Sequence, residues 1–402
     1  MTVSGPSALA VLTPPGRGGI AVIRCVGPRA EEALAACFRR ARITPQSPAA
    51  TTAVPPNLPE PGALAYGHII DNAGRPLDEI ILHRSGPVAF EVNCHGGPAA
   101  VKAILARLVG LGLAEVDADR LMEIEGLSRI VRQARRALRC TPAPPAARIL
   151  LDQLNGALAR AVGRALDEIK ASRANEARAS IDVLLARWRS CGRFLADPPH
   201  IAIAGRPNAG KSTLLNRLVG ADRTITSDVP GTTRDTVEAE AALGGLPVVL
   251  VDTAGLREAH GAVEREGVRR ARRELDRAAV VIYLVDAAEG LRPDDETAIA
   301  SLGNRVLVTI NKADTMPDLL AAHLDGRVVV GGNEPPAISA LTGQGVDARI
   351  ASALDAMGYR APEAGEAVPF EAEQAAALEA ARAAMEAGRP ADAARTLESL
   401  LK

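Results

Sequence analysis

The sequence is poor in aromatic residues, which make up 2% of its 402 residues. Its hydrophobic cores must therefore be built mainly from Ala, Leu, Val and Ile. No apolar run approaches the roughly 18 residues that are needed to span a bilayer. The first residues also lack the basic leader and apolar stretch of a secretory signal. From these absences we expect a soluble, cytoplasmic protein.

Cysteine is scarce and net charge is almost nil. The five cysteines are widely spaced and form no C-x-x-C pair: Cys25, Cys37, Cys94, Cys140 and Cys191. An odd number at such spacing argues against a disulfide framework or a zinc site and predicts reduced, buried thiols. The 47 basic and 48 acidic residues give a net charge of −1. This balance excludes a highly basic nucleic-acid coat protein, although it allows a local basic patch.

Four segments of the chain differ in their residue patterns. Residues 1–115 carry short apolar runs broken by Pro and Gly, which predict the strands of an α+β domain. Residues 116–197 show helical periodicity. In residues 198–360, apolar runs alternate with amphipathic stretches, a pattern typical of parallel strands joined by helices. Residues 361–402 read as a linker and more helices. The simplest arrangement is an α/β domain inserted into a helical domain, with an α+β domain before both.

A phosphate-binding loop is indicated at residues 205–212, which read G-R-P-N-A-G-K-S and match the P-loop pattern between a strand and a helix. Its glycines let backbone N–H groups face phosphate oxygens at a helix N-terminus. Lys211 adds a positive charge, and Ser212 offers a hydroxyl to Mg²⁺. The alternative, a Gly-rich turn without a ligand, is disfavoured by this context. The predicted contacts of this segment are Asn208, Ala209, Gly210, Lys211, Ser212 and Thr213.

Two further motifs follow predicted strands. Residues 252–255 read D-T-A-G, which can hold Mg²⁺ through water and bring a backbone N–H to a γ-phosphate. Residues 311–314 read N-K-A-D, whose Asp can accept hydrogen bonds from the guanine N1–H and N2–H₂ edge that adenine lacks. Ser339 and Ala340 fit the loop that touches the guanine oxygen. The combination resembles the GTPase superfamily, and the predicted contacts are Asp252, Thr253, Ala254, Gly255, Asn311, Lys312, Ala313, Asp314, Ser339 and Ala340.

The segment between the P-loop and Asp252 predicts a first switch, in which Thr233 supplies a second hydroxyl to Mg²⁺. Its predicted nucleotide contacts are Ser227, Asp228, Val229, Pro230, Gly231, Thr232 and Thr233.

Many GTPases place a Gln directly after D-x-x-G to orient the attacking water, and here that position is Leu256. A Leu side chain cannot hydrogen-bond. Hydrolysis therefore needs another water-orienting group and another positive charge. The candidate groups are Glu258, Glu264 and Glu266, each of which also reads as an ordinary solvated glutamate.

The chain resembles the MnmE family, also called TrmE, of tRNA-modification GTPases. The resemblance rests on T-P-P-G-R-G-G at residues 13–19, on H-G-G-P at residues 95–98, and on a G domain with G-T-T-R-D at residues 231–235 set inside helices. Era-like and Der-like GTPases share the G-domain motifs but not the first two. The resemblance implies a homodimeric GTP hydrolase that takes part in 5-carboxymethylaminomethyl-type modification of the tRNA wobble uridine. It also implies an FAD-dependent partner of the MnmG (GidA) type.

The same resemblance implies roles for individual residues. Asn208 and Thr232, with the backbone carbonyls of Ser227 and Val229, match the shell of a potassium ion that stands in for an arginine finger. Glu264, twelve positions after Asp252, matches the glutamate that orients the catalytic water. Arg24 and Glu91 match two contacts of a site for a tetrahydrofolate derivative. The alternative for this last pair is a surface ion pair.

The chain departs from the family pattern at two places. A Pro-Gly-Glu-Phe-Thr-type segment followed by Asn-x-Lys is not found, so the folate-site lysine has no match. The chain ends Leu397-Glu398-Ser399-Leu400-Leu401-Lys402, where the family has Cys-Ile-Gly-Lys. Two functions therefore remain open. One is the modification GTPase, and the other is a GTP-dependent switch or scaffold that binds RNA or a partner without modification chemistry.

A basic helix is predicted shortly after the N-terminal domain. It either contacts tRNA phosphates or forms a solvated face. Its arginines are Arg129, Arg132, Arg135, Arg136 and Arg139.

Overall fold

The structure is a computed structural model. It describes residues 5–13, 18–41, 58–141, 143–221, 238–252, 273–316 and 335–402. The chain divides into two compact units, Met1–Ser128 and Arg129–Lys402. None of the described helices combines the length and the apolar character that a membrane crossing requires.

The N-terminal unit is a seven-stranded sheet with α1 and α2 on one face and the short α3 against β1 and β2 on the other. The strand order is β3-β4-β5-β6-β2-β1-β7, and every pairing is antiparallel except β1 with β7. Its elements are β1 (Ala8–Val11), β2 (Ile20–Val26), α1 (Pro28–Cys37), β3 (Phe38–Arg40), β4 (Leu64–Ile70), β5 (Pro76–Gly86), β6 (Ala89–His95), α2 (Pro98–Gly110), β7 (Ala114–Glu115) and α3 (Ala118–Ile124).

Alternation along the strands separates a buried face from an open face. In β6, Phe90 and Val92 are buried while Glu91 and Asn93 lie on the opposite face, since successive side chains of a strand point to opposite sides. The buried face packs against Leu34 of α1 and Leu108 of α2. The predicted strands of this segment are confirmed. Among the described residues, no helix covers the second face of the sheet over β4 and β5.

The N-terminal unit extends past residue 115, where the sequence pattern changes. The reason is α3, whose Leu121 is fully buried against Ala8, Ala10 and Val26 of β1 and β2. This short helix completes the sheet domain, and the compact unit therefore ends at Ser128.

The helices of the second unit come from both ends of its sequence. Before the α/β domain lie α4 (Arg129–Cys140), α5 (Pro144–Leu154), α6 (Ala157–Lys170), α7 (Ala174–Arg187), a π-helical turn (Trp188–Gly192) and α8 (Arg193–Ala196). After it lie α12 (Ala372–Glu386) and α13 (Pro390–Leu401).

One apolar cluster joins these two groups of helices. Leu378 of α12 and Leu397 of α13 are fully buried with Leu158 of α6 and with Ile181 and Leu185 of α7. The expectation that the tail packs on the earlier helices is confirmed. An isolated tail of this length would be only marginally helical in water.

The α/β domain is a five-stranded sheet of order β12-β11-β8-β10-β9, parallel except for the β9–β10 hairpin. Its elements are β8 (His200–Gly205), α9 (Lys211–Ala221), β9 (Glu238–Leu243), β10 (Leu246–Asp252), β11 (Val280–Asp286), α10 (Pro293–Leu302), β12 (Val306–Asn311) and α11 (Val346–Ala356). Short 3-10 turns occupy Gly303–Arg305 and Ala313–Thr315. The parallel strands β8, β10, β11 and β12 end at one edge of the sheet, where ligands of such folds bind.

Candidate nucleotide site

The loop between β8 and α9 has the backbone geometry of a phosphate cradle. Gly205, Asn208 and Gly210 have φ values of 138°, 64° and 93°. A Cβ on Gly210 would lie 2.2 Å from Asn311 Nδ2, so only glycine allows this approach. The loop curls at the start of α9, where free backbone N–H groups and the helix dipole favour an anion.

Lys211 and Ser212 stand at the head of α9 with their polar atoms held close by. Lys211 Nζ donates to the Arg206 carbonyl at 2.6 Å and is almost fully buried. Ser212 Oγ donates to Asp252 Oδ2 at 3.0 Å. A hydroxyl and a carboxylate at this distance form the kind of oxygen donor pair that Mg²⁺ prefers. The predicted proximity of the P-loop residue Ser212 to Asp252 at the end of β10 is therefore confirmed.

Asn311 connects the phosphate side of the site to the base side. Its buried Nδ2 donates to the Ala209 carbonyl at 2.7 Å, and its Oδ1 accepts from Ala340 N–H at 2.9 Å. One amide thus fixes the P-loop and the loop at residues 339–340 relative to each other.

The Asp314 carboxylate is oriented by the same loop. Ser339 Oγ donates to Asp314 Oδ1 at 2.5 Å, and the Ser339 hydroxyl itself accepts from Thr342 N–H at 3.0 Å. The second oxygen of Asp314 makes no hydrogen bond to the described residues. An acceptor held in this way suits the paired donors of the guanine edge.

Asp286, the last residue of β11, also lies beside the predicted site residues, although no sequence motif singled it out. Asp286 Oδ2 lies 2.7 Å from Lys312 Nζ. Burial alone raises the pKa of the Asp286 carboxyl, but the hydrogen bond and charge of Lys312 and the Ala288 N–H outweigh it, so the pKa is lowered. The pair anchors Lys312, whose φ is 68°. The available signal was its position: an acidic residue at the carboxyl end of a buried parallel strand.

Part of the predicted site lies outside the described residues. These residues are Ser227, Asp228, Val229, Pro230, Gly231, Thr232, Thr233, Thr253, Ala254, Gly255 and Glu264, together with Leu256, Glu258 and Glu266. Their roles remain predictions from the sequence. The described contacts bring together Ala209, Ser212, Asp252, Asn311, Asp314, Ser339 and Ala340.

Comparison with known proteins assigns both parts of the chain. Residues 7–118 match the model of the GTP-binding protein TrmE N-terminus, and residues 200–312 match that of the 50S ribosome-binding GTPase family. The tRNA modification GTPase MnmE of Moorella thermoacetica is 33% identical over 383 residues, covering 84% of this chain and 79% of that protein. The tRNA modification GTPase MnmE of Prochlorococcus marinus (strain MIT 9313) is 32% identical over 400 residues, covering 88% and 81%.

The chain belongs to the MnmE family. A solved structure of Era in complex with MgGDPNP and a fragment of 16S ribosomal RNA is also similar, with 28% identity, 41% of this chain and 58% of that chain covered, and a TM-score of 0.31. The MnmE relatives match across most of the chain, so the expected order of an α+β domain, a helical part and an inserted P-loop GTPase domain is confirmed.

Within the MnmE framework, Arg24 and Glu91 are neighbours on the open face of the N-terminal sheet. Arg24 Nη1 donates to Glu91 Oε1 at 2.5 Å, while Arg24 Nε donates to Glu125 Oε1 at 2.7 Å. Glu91 Oε2 also lies 3.0 Å from His83 Nδ1. Burial raises the pKa of Glu91, but the hydrogen bond to His83 and the charge of Arg24 outweigh it and lower the pKa. Arg24, Glu91, Glu125 and His83 thus form one connected network of polar side chains.

Some arginines of the basic helix α4 pair with glutamates at the start of α12. Arg129 pairs with Glu373, and Arg136 Nη2 lies 3.2 Å from Glu371 Oε1. Arg135 and Arg139 are exposed. The arginines therefore serve two purposes: some stabilise the packing of α12 on α4, while others remain on the solvated face.

Proposed function

We propose that this chain is a GTP hydrolase that takes part in modification of the tRNA wobble uridine. The binding of GTP is supported chiefly by Asp314, whose carboxylate is oriented by Ser339. Asn311 holds the loop of Ser339 and the P-loop together, so that the base side and the phosphate side form one site. The tRNA part rests on membership of a family whose relatives are named tRNA modification GTPases. A GTP-dependent switch or scaffold without modification chemistry is not favoured, since the matches extend through the N-terminal domain as well as the GTPase domain.

The residues at the head of α9 fit a magnesium ion. Ser212 and Asp252 would hold it, directly or through water, together with Thr233 from the first switch. The ion would supply positive charge to the β- and γ-phosphate oxygens. The chain's own Lys211 and the backbone N–H groups of the P-loop bind the same phosphates and position them for in-line attack.

A monovalent ion and a glutamate complete the proposed mechanism. Asn208 is exposed on the P-loop, and its side chain makes no hydrogen bond to the described residues. Its amide oxygen is therefore free to hold K⁺, with Ser227, Val229 and Thr232 as the remaining ligands. The ion would supply the charge that an arginine finger gives elsewhere. Glu264 accepts a hydrogen bond from the attacking water and so orients it. It takes the role that Gln has in many GTPases, whose position is occupied by Leu256 in this chain.

We propose that Arg24 and Glu91 have a structural role and do not form a tetrahydrofolate site. Arg24 donates Nε and Nη2 to Glu125 and Nη1 to Glu91, so two carboxylates of this chain already neutralise its guanidinium. Little positive charge remains for the carboxylates of a folate tail. We therefore propose that this network stabilises the N-terminal unit. Heat release on titration of a reduced folate would contradict this assignment.

The proposed partners follow from the same family membership. We propose a homodimer formed through the open face of the N-terminal sheet, an FAD-dependent MnmG-type partner, tRNA as the substrate, and a location in the cytoplasm. The apolar side chains on that face support the dimer, because a sheet face of a monomer rarely exposes several large apolar residues together.

Two measurements test the function. In a competition assay, GTP and GDP should displace a fluorescent guanine nucleotide, while ATP should bind about 10⁴-fold more weakly because adenine leaves Asp314 without its donors. Mass spectrometry of tRNA nucleosides should show loss of the modified wobble uridine in a deletion strain and its return with this chain. Equal binding of ATP would overturn the nucleotide assignment, and unchanged nucleosides would overturn the tRNA role.

A further inference from the structure

Arg217 joins the P-loop helix to the loop beside the guanine-binding residues. It lies on α9, six positions after Lys211, and is half-buried. Its Nε donates to the Ala340 carbonyl at 2.6 Å, and its Nη2 donates to the Leu341 carbonyl. Two N–H groups of one planar guanidinium thus hold two successive carbonyls, which the single ammonium of a lysine cannot do with the same geometry.

The contact acts on the residues that recognise the base. Ala340 donates its N–H to Asn311 Oδ1 at 2.9 Å, so its two backbone polar groups are held from opposite sides, by Asn311 and by Arg217. Ser339, directly before it, orients Asp314. The position of this short segment therefore depends on α9 as well as on the end of β12.

The loop is shaped around the guanidinium. Gly343 has a φ of 94°, and a Cβ at this position would lie 2.6 Å from Arg217 Nη1. Gly343 N–H donates to the Ser339 carbonyl at 2.8 Å, which closes the turn. Glycine thus serves both the backbone conformation and the space that the arginine occupies.

We propose that Arg217 is a positioning residue for guanine recognition, which locks the loop at residues 339–343 onto the P-loop helix. The inference rests on the proposed binding of GTP. The held loop is exposed at its tip, since Leu341 is 68% exposed. Without Arg217, the exposed Leu341 can turn its carbonyl to water and the loop loses its contact with α9, while Asn311 still holds the Ala340 N–H. The phosphates remain bound by the P-loop, so chemistry in the saturated site is preserved.

The test compares Arg217→Ala, Arg217→Lys and Gly343→Ala with wild type, and uses Arg164→Ala on the exposed face of α6 as the matched control. The readouts are the dissociation rate of a fluorescent GDP, single-turnover hydrolysis at saturating GTP, and the melting temperature of the nucleotide-free protein. Loss of one or two hydrogen bonds to the loop should speed GDP release by about 10-fold. Lysine should fail to restore the slow rate. Gly343→Ala should speed release although the arginine is intact.

Three results separate the possibilities. Faster GDP release with unchanged saturated hydrolysis and melting temperature supports the positioning role. Release at the wild-type rate in Arg217→Ala overturns it, as does a parallel fall in hydrolysis and melting temperature, which would mark a merely structural residue. If wild type binds no guanine nucleotide, the proposed function itself fails, and this outcome is seen before any variant is made.

Discussion

At the scale of single residues, the site depends on a few side chains that each serve two partners. Asn311 hydrogen-bonds the P-loop and the guanine loop, and Ser339 both orients Asp314 and accepts from Thr342. Because these groups are buried, removal of one would leave its partners without hydrogen bonds, which costs more than the net value of the bond itself. These hydrogen bonds therefore hold the base side of the site in one geometry.

We expect the potassium ion at Asn208 and the water-orienting Glu264 to make separable contributions to the rate of GTP hydrolysis. GTP hydrolysis should run faster in KCl than in NaCl, since Asn208 offers its amide oxygen to a larger ion. Asn208→Ala should remove this preference. Glu264→Ala should keep the preference but slow hydrolysis by about 10² while GTP affinity stays nearly unchanged, because its effect is confined to the transition state. The measurement is single-turnover hydrolysis in each salt.

The control for this experiment is Asn304→Ala, an exposed asparagine between α10 and β12. It should hydrolyse GTP like wild type in both salts. Equal wild-type rates in sodium and potassium would remove the ion from the mechanism. A Glu264→Ala protein as fast as wild type would remove the glutamate.

At the scale of elements, the return of the chain from the α/β domain to the helices is fixed by a buried glutamine. Gln153 on α5 donates Nε2 to the Glu366 carbonyl at 3.0 Å and accepts at Oε1 from Val368 N–H at 3.1 Å. The linker before α12 thus pairs its backbone with one side chain from the first helical segment. The apolar tail helices then meet α6 and α7 in a defined position.

We expect Gln153→Met to destabilise the helical domain by about 2–4 kcal/mol. The substitution keeps the volume but leaves the buried Val368 N–H and the partly buried Glu366 carbonyl without their side-chain partner. A buried unpaired group costs about 1–3 kcal/mol, and a partly buried one costs less. Chemical denaturation followed by the single tryptophan, Trp188, measures the change. Glu379→Met on the exposed side of α12 is the control and should differ little from wild type. Equal stability of the two variants would contradict the role of Gln153.

These elements also show what sequence could predict. The P-loop, the strands of the α/β domain and the helices of the tail follow from strict local spacing and apolar periodicity, which need no knowledge of distant contacts. Gln153 and Arg217 were not found, because their partners lie more than 100 positions away and their own surroundings carry no pattern. The extension of the N-terminal unit to Ser128 was missed for the same reason, since Leu121 is buried by strands about 100 positions earlier.

At the scale of the whole molecule, the open face of the N-terminal sheet is the feature that a single chain does not explain. Tyr66 and Ile81 lie opposite each other in register, and Ile81 faces Asn93 on the next strand. Tyr66 and Ile81 are 39% and 47% exposed, and Leu64 and Ile20 on the same face of the sheet are 61% and 65% exposed. Burial of these side chains against a second copy would recover free energy at roughly 25 cal/mol for each Å² of apolar surface removed from water.

The prediction at this scale is that Ile81→Lys breaks the dimer. The isolated charge would have to be desolvated in an apolar interface, a cost that exceeds the contribution of the lost side chain. Light scattering after size exclusion should give wild type a mass of about twice 41.7 kDa and the variant a mass near 41.7 kDa. The matched control is Val183→Lys, since Val183 is 49% exposed on α7 of the second unit, and it should remain dimeric. A dimeric Ile81→Lys protein with native circular dichroism would place the interface elsewhere, and a monomeric wild type would remove it. If the face does join two chains, the monomeric variant should retain guanine-nucleotide binding, because every described contact to the nucleotide site comes from the second unit of the same chain.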